Sequence, residues 1–350
     1  MIAYKKLIVY YFSGTGNAKR ASEWIIDVAK EQSIDVELIN INGFKFKKTP
    51  YLEQRTLIGL CSPTHGFNLP PIMLKFIYNF PKVNNADFFI LNTRAGMKLY
   101  KIFLPGLSGV AQILPTIYLK LKGYKVVGMQ PMDLPSNWIS LHPGLRKKVI
   151  HSIFERCEKI TKSFANKILN GKKVYKALLS LPIDLAISPI SLAYYFFGRF
   201  VIAKTFISTD ACTNCGLCQK NCPVNAIEKI NDQLYWTFDC ESCMHCMNYC
   251  PQRAIETAHS FTFLIWWVAF SVLPMLAVNQ AVKNEFWNIQ KGTSRADILY
   301  YFVEFAGGLL IIYLAYRFLH YLMRFKFFNK LIAYTSLTKY RFWRRYKAPV

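Results

Sequence analysis

Two cysteine runs carry the densest chemistry in this sequence. Cys212 to Pro223 reads C-x₂-C-x₂-C-x₃-C-P, and Cys240 to Pro251 repeats it. Three thiolates two residues apart wrap three corners of an iron–sulfur cubane. The fourth, followed by proline, points away to cap a second one. The spacing assigns Cys212, Cys215, Cys218 and Cys250 to one [4Fe–4S] cluster, and Cys240, Cys243, Cys246 and Cys222 to its partner. Zinc suits four cysteines, but eight in this register fit it poorly. "CPVNAIE" and "CPQRAIE" extend the internal repeat, with Ile227 and Ile255 as matching core positions. His245 lies between ligands and is expected at the surface. Cys61 and Cys157 stand alone and are expected as buried thiols.

A second chemical signal is "VYYFSGTGNAKR", Val9 to Arg20, an apolar run leading through two glycines into a helical pattern. A nucleoside-triphosphate loop needs G-x-x-x-x-G-K-[ST], and Lys19 has the wrong spacing and no following hydroxyl. The dinucleotide fingerprint needs a third glycine where Lys19 stands. A single-phosphate cradle remains. Ser13, Thr15 and Asn17 offer side-chain donors, while Gly14 and Gly16 let backbone N–H groups approach a phosphate at a helix N-terminus. Such donors suit a terminal monoester like that of FMN. An ordinary strand-to-helix turn is the plainer alternative.

The elements that must position these groups alternate through the first 171 residues. Apolar runs predict strands over Leu7–Phe12, Asp35–Ile41, Thr56–Cys61, Asp87–Asn92 and Tyr124–Gln130. Helices are predicted over Asn17–Glu31, Pro71–Phe80, Leu107–Leu121 and Gly144–Leu169. This is the pattern of an α/β, doubly wound parallel sheet, whose ligands sit beyond the carboxyl ends of the strands. The loops after strands three and four, "CSPTHGFNLPP" and "NTRAGMKLY", have binding-loop composition.

"YYFSGTGNAKR" with "SPTHGFNLPP" resembles the flavodoxin fold, and more narrowly the flavodoxin–ferredoxin fusion proteins of anaerobic bacteria, over residues 1–258. The resemblance implies that Ser13, Gly14, Thr15, Gly16 and Asn17 hold the FMN phosphate. It implies also that Pro63, Thr64, His65, Gly66 and Phe67, with Thr93, Arg94, Ala95 and Gly96, border the ring. Two departures stand out. Flavodoxins are acidic, whereas this domain is basic, and Arg94 near the ring is expected to raise the flavin potential.

Charge and hydropathy divide the rest. Of a formal net charge of +24, residues 1–171 contribute 24 basic and 10 acidic groups, while 207–258 carry 3 against 6. That contrast predicts docking of the small α+β dicluster module on the flavin module. The connecting segment 172–206 is apolar and aromatic, fitting a helix lying on a bilayer or a packed inter-domain arm. Residues 261–282 hold no charge, and at about 1.5 Å per residue span a ~30 Å hydrocarbon core. A polar loop and a second apolar run over 298–323 complete a two-helix hairpin within 259–323. Residues 324–350 hold eight basic residues and no acid, a positive-inside flank. His259 and His320 fall at one membrane face, where ordinary hydrogen bonding is expected over a haem or quinone site. Phe103–Leu121 is expected to be a core or membrane-touching helix. No secretory signal opens the chain, so the redox domains are expected at the cytoplasmic side of the inner membrane. Nucleic acid is set aside as a partner, since no binding motif accompanies the charge.

The sequence thus predicts a membrane-anchored electron-transfer protein carrying FMN and two [4Fe–4S] clusters, with a soluble redox protein as partner. The alternatives are a reductase of a quinone or isoprenoid and a docking scaffold with a vestigial flavin site. No general acid or nucleophile is identifiable.

Overall fold

Alternate residues of the strand β1 (Lys6–Tyr11) face opposite layers: Leu7 and Val9 pack with one core, Ile8 and Tyr10 with another. A strand buried on both sides in this way is the interior of a two-faced parallel sheet. In the computed structural model, which describes residues 3–44, 55–83, 85–199, 205–272 and 294–343, β1 is flanked by β2 (Asp35–Asn40) and β3 (Thr56–Pro63). Beyond β3 follow β4 (Ala86–Leu99), β6 (Tyr124–Pro135) and β7 (Val174–Tyr175), all parallel, giving the order β2-β1-β3-β4-β6-β7. Without β7 this is the 2-1-3-4-5 order of the flavodoxin-like doubly wound sheet. The short β5 (Ile102–Leu104) folds back antiparallel on β4.

Helices α1 (Asn17–Glu31) and α4 (Lys147–Leu169) cover one face through Ala21, Ile25, Phe164 and Ile168. Helices α2 (Pro71–Tyr78) and α3 (Ile113–Leu121) cover the other through Met73, Phe76 and Leu119. Pro71 opens α2, where its missing N–H costs nothing. Two expectations change here. Strand β4 does not stop at Asn92; Thr93 to Gly96 pair with Met132 to Pro135 of β6. Close approach makes that possible, since a Cβ on Gly96 would lie 2.1 Å from the Asp133 carbonyl oxygen. Phe103–Leu121 is likewise not one helix but β5, a 3₁₀ turn at Gly109–Ala111, and α3.

Val174–Tyr175 adds a strand to the sheet, and the helices α5 (Leu181–Ala186) and α6 (Ser188–Ala193) follow. The dicluster module pairs β8 (Phe206–Ser208) with β11 (Ile255–Thr257), and β9 (Ile227–Ile230) with β10 (Gln233–Trp236). Two short helices, α7 (Leu217–Lys220) and α8 (His245–Tyr249), sit within the cysteine loops.

Two helices follow at the carboxyl side: α9 (His259–Trp267), then α10 (Ser294–Leu322). Within α10, Glu304–Leu322 is long and apolar enough to cross a bilayer. Of the expected first span, 261–282, residues 261–272 are helical and 273–282 lie outside the described residues. Arg317 stacks 4.3 Å over Phe238, while His320 is buried between Tyr235 and Trp236. The stretch 324–343 is not a free tail. Helix α11 (Lys326–Thr335) packs on the dicluster module with Ile332 buried, and the Trp343 indole donates to the Ile139 carbonyl at 2.5 Å.

Candidate functional site

The repeat of 28 residues is written in the backbone. Asn214 and Ser242, Gly216 and Met244, and Asn225 and Arg253 all have positive φ at corresponding positions. Ala226 N–H donates to Cys222 Sγ at 3.3 Å, as Ala254 N–H does to Cys250 Sγ at 3.4 Å. Left-handed turns at non-glycine residues are costly and persist where surroundings fix them. Here they recur at matching positions in both cysteine loops.

The donor set fits two cubanes. Cys212, Cys215, Cys218 and Cys250 line one cavity of about 240 Å³. Burial pushes the Cys218 thiol up to about 11, and its neighbours Cys212 and Cys250 add to that shift. Burial also raises Cys243, with Cys240 and Cys222 as the adjacent thiols. The fourth cysteine of each run thus lies beside thiols of the opposite loop. Thiols this reluctant to ionise alone are held as thiolates by metal. Among the described residues no three His, Cys, Asp or Glu side chains converge as on a single ion; a cubane spaces its ligands wider than that.

The glycine loop leads into α1 through Gly16, whose φ of 92° places it in the left-handed region. Ser13 Oγ accepts the Gly16 N–H at 3.0 Å, fixing the turn. The first N–H groups of α1 have no intrahelical partner and no side chain caps them. Such a terminus is a ready phosphate site. Around it a cavity of about 120 Å³ is lined by Ser13, Gly14, Thr15 and Asn17, by Pro63, Thr64 and His65, and by Thr93, Arg94 and Ala95. Gly16, Gly66, Phe67 and Gly96 do not line it. Gly66 instead lies under the Tyr194 ring, and Phe67 turns its carbonyl to the Val110 N–H.

Two further walls carry no flag in the sequence reading. One is Pro135 to Trp138 after β6, where Asn137 donates to Thr15 Oγ1 at 2.6 Å and Asn17 donates to the Pro135 carbonyl at 2.8 Å. The other is Ser242 to Met244, from the second cysteine loop. That loop presses on the glycine loop so closely that a Cβ on Gly14 would lie 2.0 Å from the Cys243 carbonyl oxygen. The ring of His245, expected at the surface, hydrogen-bonds the Gly14 carbonyl at 2.8 Å and stacks on Tyr249. His65 hydrogen-bonds the Glu241 backbone, and burial lowers its imidazole to about 4, leaving it neutral.

Among the residues lining this cavity, the buried polar atoms Asn17 Oδ1, His65 Nδ1, Asn137 Oδ1 and Trp138 Nε1 have no partner. Buried polar atoms are nearly always paired, so these suit a polar, partly aromatic ligand with donors and acceptors on its rim. Arg94 is not available to such a ligand as a bare cation. Its Nε lies 2.6 Å from Asp133 Oδ1, and both side chains are largely buried. Burial holds Cys61 and Cys157 as ordinary protonated thiols, both pushed up to about 12. His259 uses one nitrogen on the Ser140 carbonyl and the other on the Leu337 N–H; His320 uses both on Tyr235 and Trp236. Neither is free to ligate haem.

Residues 211–255 match the 4Fe–4S dicluster domain family, a stretch containing all eight motif cysteines. Among curated proteins none matches the chain. Solved structures similar to the first half include a flavodoxin from the domain Archaea, 20% identical over 47% of this chain and 98% of the other, with a TM-score of 0.29. Flavodoxin 1 from Bacillus cereus is also 20% identical, over 46% and 97%, at 0.31. Megasphaera elsdenii flavodoxin is 16% identical over 46% and 98%, at 0.30. The segment 211–255 is a 4Fe–4S dicluster domain, and its chemistry is electron transfer.

Proposed function

We propose that the chain is a membrane-tethered electron carrier in which the Cys212 cluster, the Cys240 cluster and FMN stand in series, in that order. The observation that carries this reading is the shared wall. Ser242 to Met244 belong both to the second cysteine loop and to the lining of the Ser13–Asn17 cavity. Clusters move electrons singly, while a flavin accepts one or two, so the pairing lets one-electron traffic meet two-electron chemistry.

This chain's residues would do the holding. Gly14, Gly16 and the first amides of α1 would take the phosphate, with Thr15 and Asn137 beside them. Thr64, His65, Thr93 and Ala95 would border the ring. The enclosed space of about 120 Å³ is below the ~300 Å³ of a ligand-sized pocket, so a bound flavin would require the lining loops to part. Apolar packing joins the two modules. Ile139 and Ile150 of the first module join the Phe206 and Trp236 core of the second.

The tether reading is supported by α10. Ile312, Tyr316 and Leu319 are buried against protein, while Phe305, Leu310, Leu314 and Phe318 form an exposed apolar stripe. Lipid is the environment such a stripe suits. A soluble redox protein would then meet the cluster bound by the exposed Cys215 loop.

Anaerobic purification in detergent, with iron, sulfide and flavin quantified, tests the cofactor set. The expected result is about eight irons and one FMN per chain. Iron without flavin would instead support a docking scaffold.

A further inference from the structure

The segment between the two redox modules is built inside out. Lys176–Ala186 and Ser188–Phe196 form a pair of helical pieces bent by 74°. Their inward residues, seven apart, are Ala177, Asp184 and Ser191, exposed by 7%, 2% and 0%. Two of the three are polar. Outward stand Leu178, Leu179, Ile183, Leu185, Ile190 and Leu192, with Leu179 79% exposed, and Phe196 beyond them. A helix on a water-soluble surface has the opposite arrangement.

The inward carboxylate shows why the arrangement is fixed. Asp184 Oδ1 accepts the N–H groups of Ser108 at 3.0 Å and Gly109 at 2.8 Å, and Oδ2 accepts the Ser180 hydroxyl at 2.7 Å. Rotating the helix to hide its leucines would strip three hydrogen bonds from a buried carboxyl group. The apolar face is therefore locked outward. The 3₁₀ turn that Asp184 grips runs on into α3, where Leu114, Ile117 and Leu121 are also exposed.

Charge identifies the occupant. Asp184, turned inward, is the sole acidic residue between Glu158 and Asp210, and no acid lies between Asp87 and Asp133. Lys172, Lys173 and Lys176 precede the apolar face, and Lys120 and Lys122 follow that of α3. We infer that this face lies in the interfacial layer of an anionic bilayer, a second membrane contact made directly by the flavin module and independent of α10. Apolar side chains enter the acyl boundary and the lysines meet phosphate headgroups. Asp184 also joins the contact to the redox site, since Ser108 bonds Asn92, which bonds Thr64 in the cavity lining. The inference deepens the tethered-carrier reading and rests on the chain working at a membrane.

The test uses the full chain in vesicles of phosphatidylglycerol carrying a photoactivatable acyl chain, with adducts mapped by peptide. Adducts are expected on 177–196 as well as on 304–322, with the α4 peptide 147–169 as the soluble control. Leu179→Asp and Leu192→Asp should each cut adducts on 177–196 roughly fivefold or more, since a charge is costly in the acyl layer, and leave those on 304–322 unchanged. Adducts on 304–322 with none above control on 177–196 would overturn the inference while leaving the α10 tether standing. A protein partner covering this face would give that same pattern. Absence from both segments would overturn the inference and the membrane reading together.

Discussion

Gly14 is the residue on which the proposed wiring turns. Its lack of a side chain is what lets the glycine loop meet the second cysteine loop, and nothing flexible stands in the way to yield, because the contact is with the Cys243 backbone. Gly14→Ala is expected to part the two loops. FMN retention after gel filtration should fall, while the Cys212 cluster, held elsewhere, survives. Equal flavin content in parent and variant would show that the contact does not matter. Arg94 poses a second question at this scale. Paired with Asp133, it contributes little net charge to the cavity. Asp133→Asn should therefore free the guanidinium and raise the flavin potential, and Arg94→Ala should leave a bare carboxylate and lower it. Each shift is expected at roughly 20–60 mV, the two-electron equivalent of about 1–3 kcal/mol. Redox titration of the bound flavin reads both. His65 should remain neutral through the physiological range. Its depressed pKa means the unfolded chain binds more protons than the folded one between about pH 6.5 and 4. The flavin-free module should thus lose stability as pH falls through that window, visible as a falling Tm.

Among the elements, the cysteine loops were the most legible, because their ligand spacing is imposed by the cubane rather than by the rest of the fold. Strands β1 and β3 were nearly as clear, since strands buried on both faces read as apolar runs. The ends of β4 and β6 were not. Asn92, Thr93 and Arg94 carry polar side chains that read as loop, yet cross-strand pairing holds them in the sheet. The wall from Pro135 to Trp138 was missed for a related reason: it becomes part of the site only through Asn137 and Asn17 reaching across to other loops. His245 looked solvent-facing because its partner, the Gly14 carbonyl, is 231 residues away. The carboxyl-terminal basic stretch read as a free flank, whereas Trp343 and α11 stitch it to both modules. At this scale His320 offers a test. It joins α10 to the β10 strand through Tyr235 and Trp236. His320→Ala should destabilise the dicluster module by about 1–3 kcal/mol, since it strands two buried polar groups. Loss of iron at a lower denaturant concentration than in the parent would show it.

Taken as a whole, the molecule places its redox groups and its apolar surfaces in a defined relation. The second cysteine loop faces the glycine-loop cavity on one side, and the hairpin that carries Trp236 meets α10 on the other. In the proposed arrangement one cluster would stand toward solvent for exchange and the other would be enclosed against the flavin. The central claim is that enclosure, and phosphorus NMR of the bound FMN in a phosphate-free detergent tests it most directly. Reduction makes the enclosed cluster paramagnetic. The account predicts a phosphate resonance that is resolved in the oxidised full-length protein and strongly broadened on dithionite reduction. A phosphate line of unchanged width on full reduction of the clusters would contradict it.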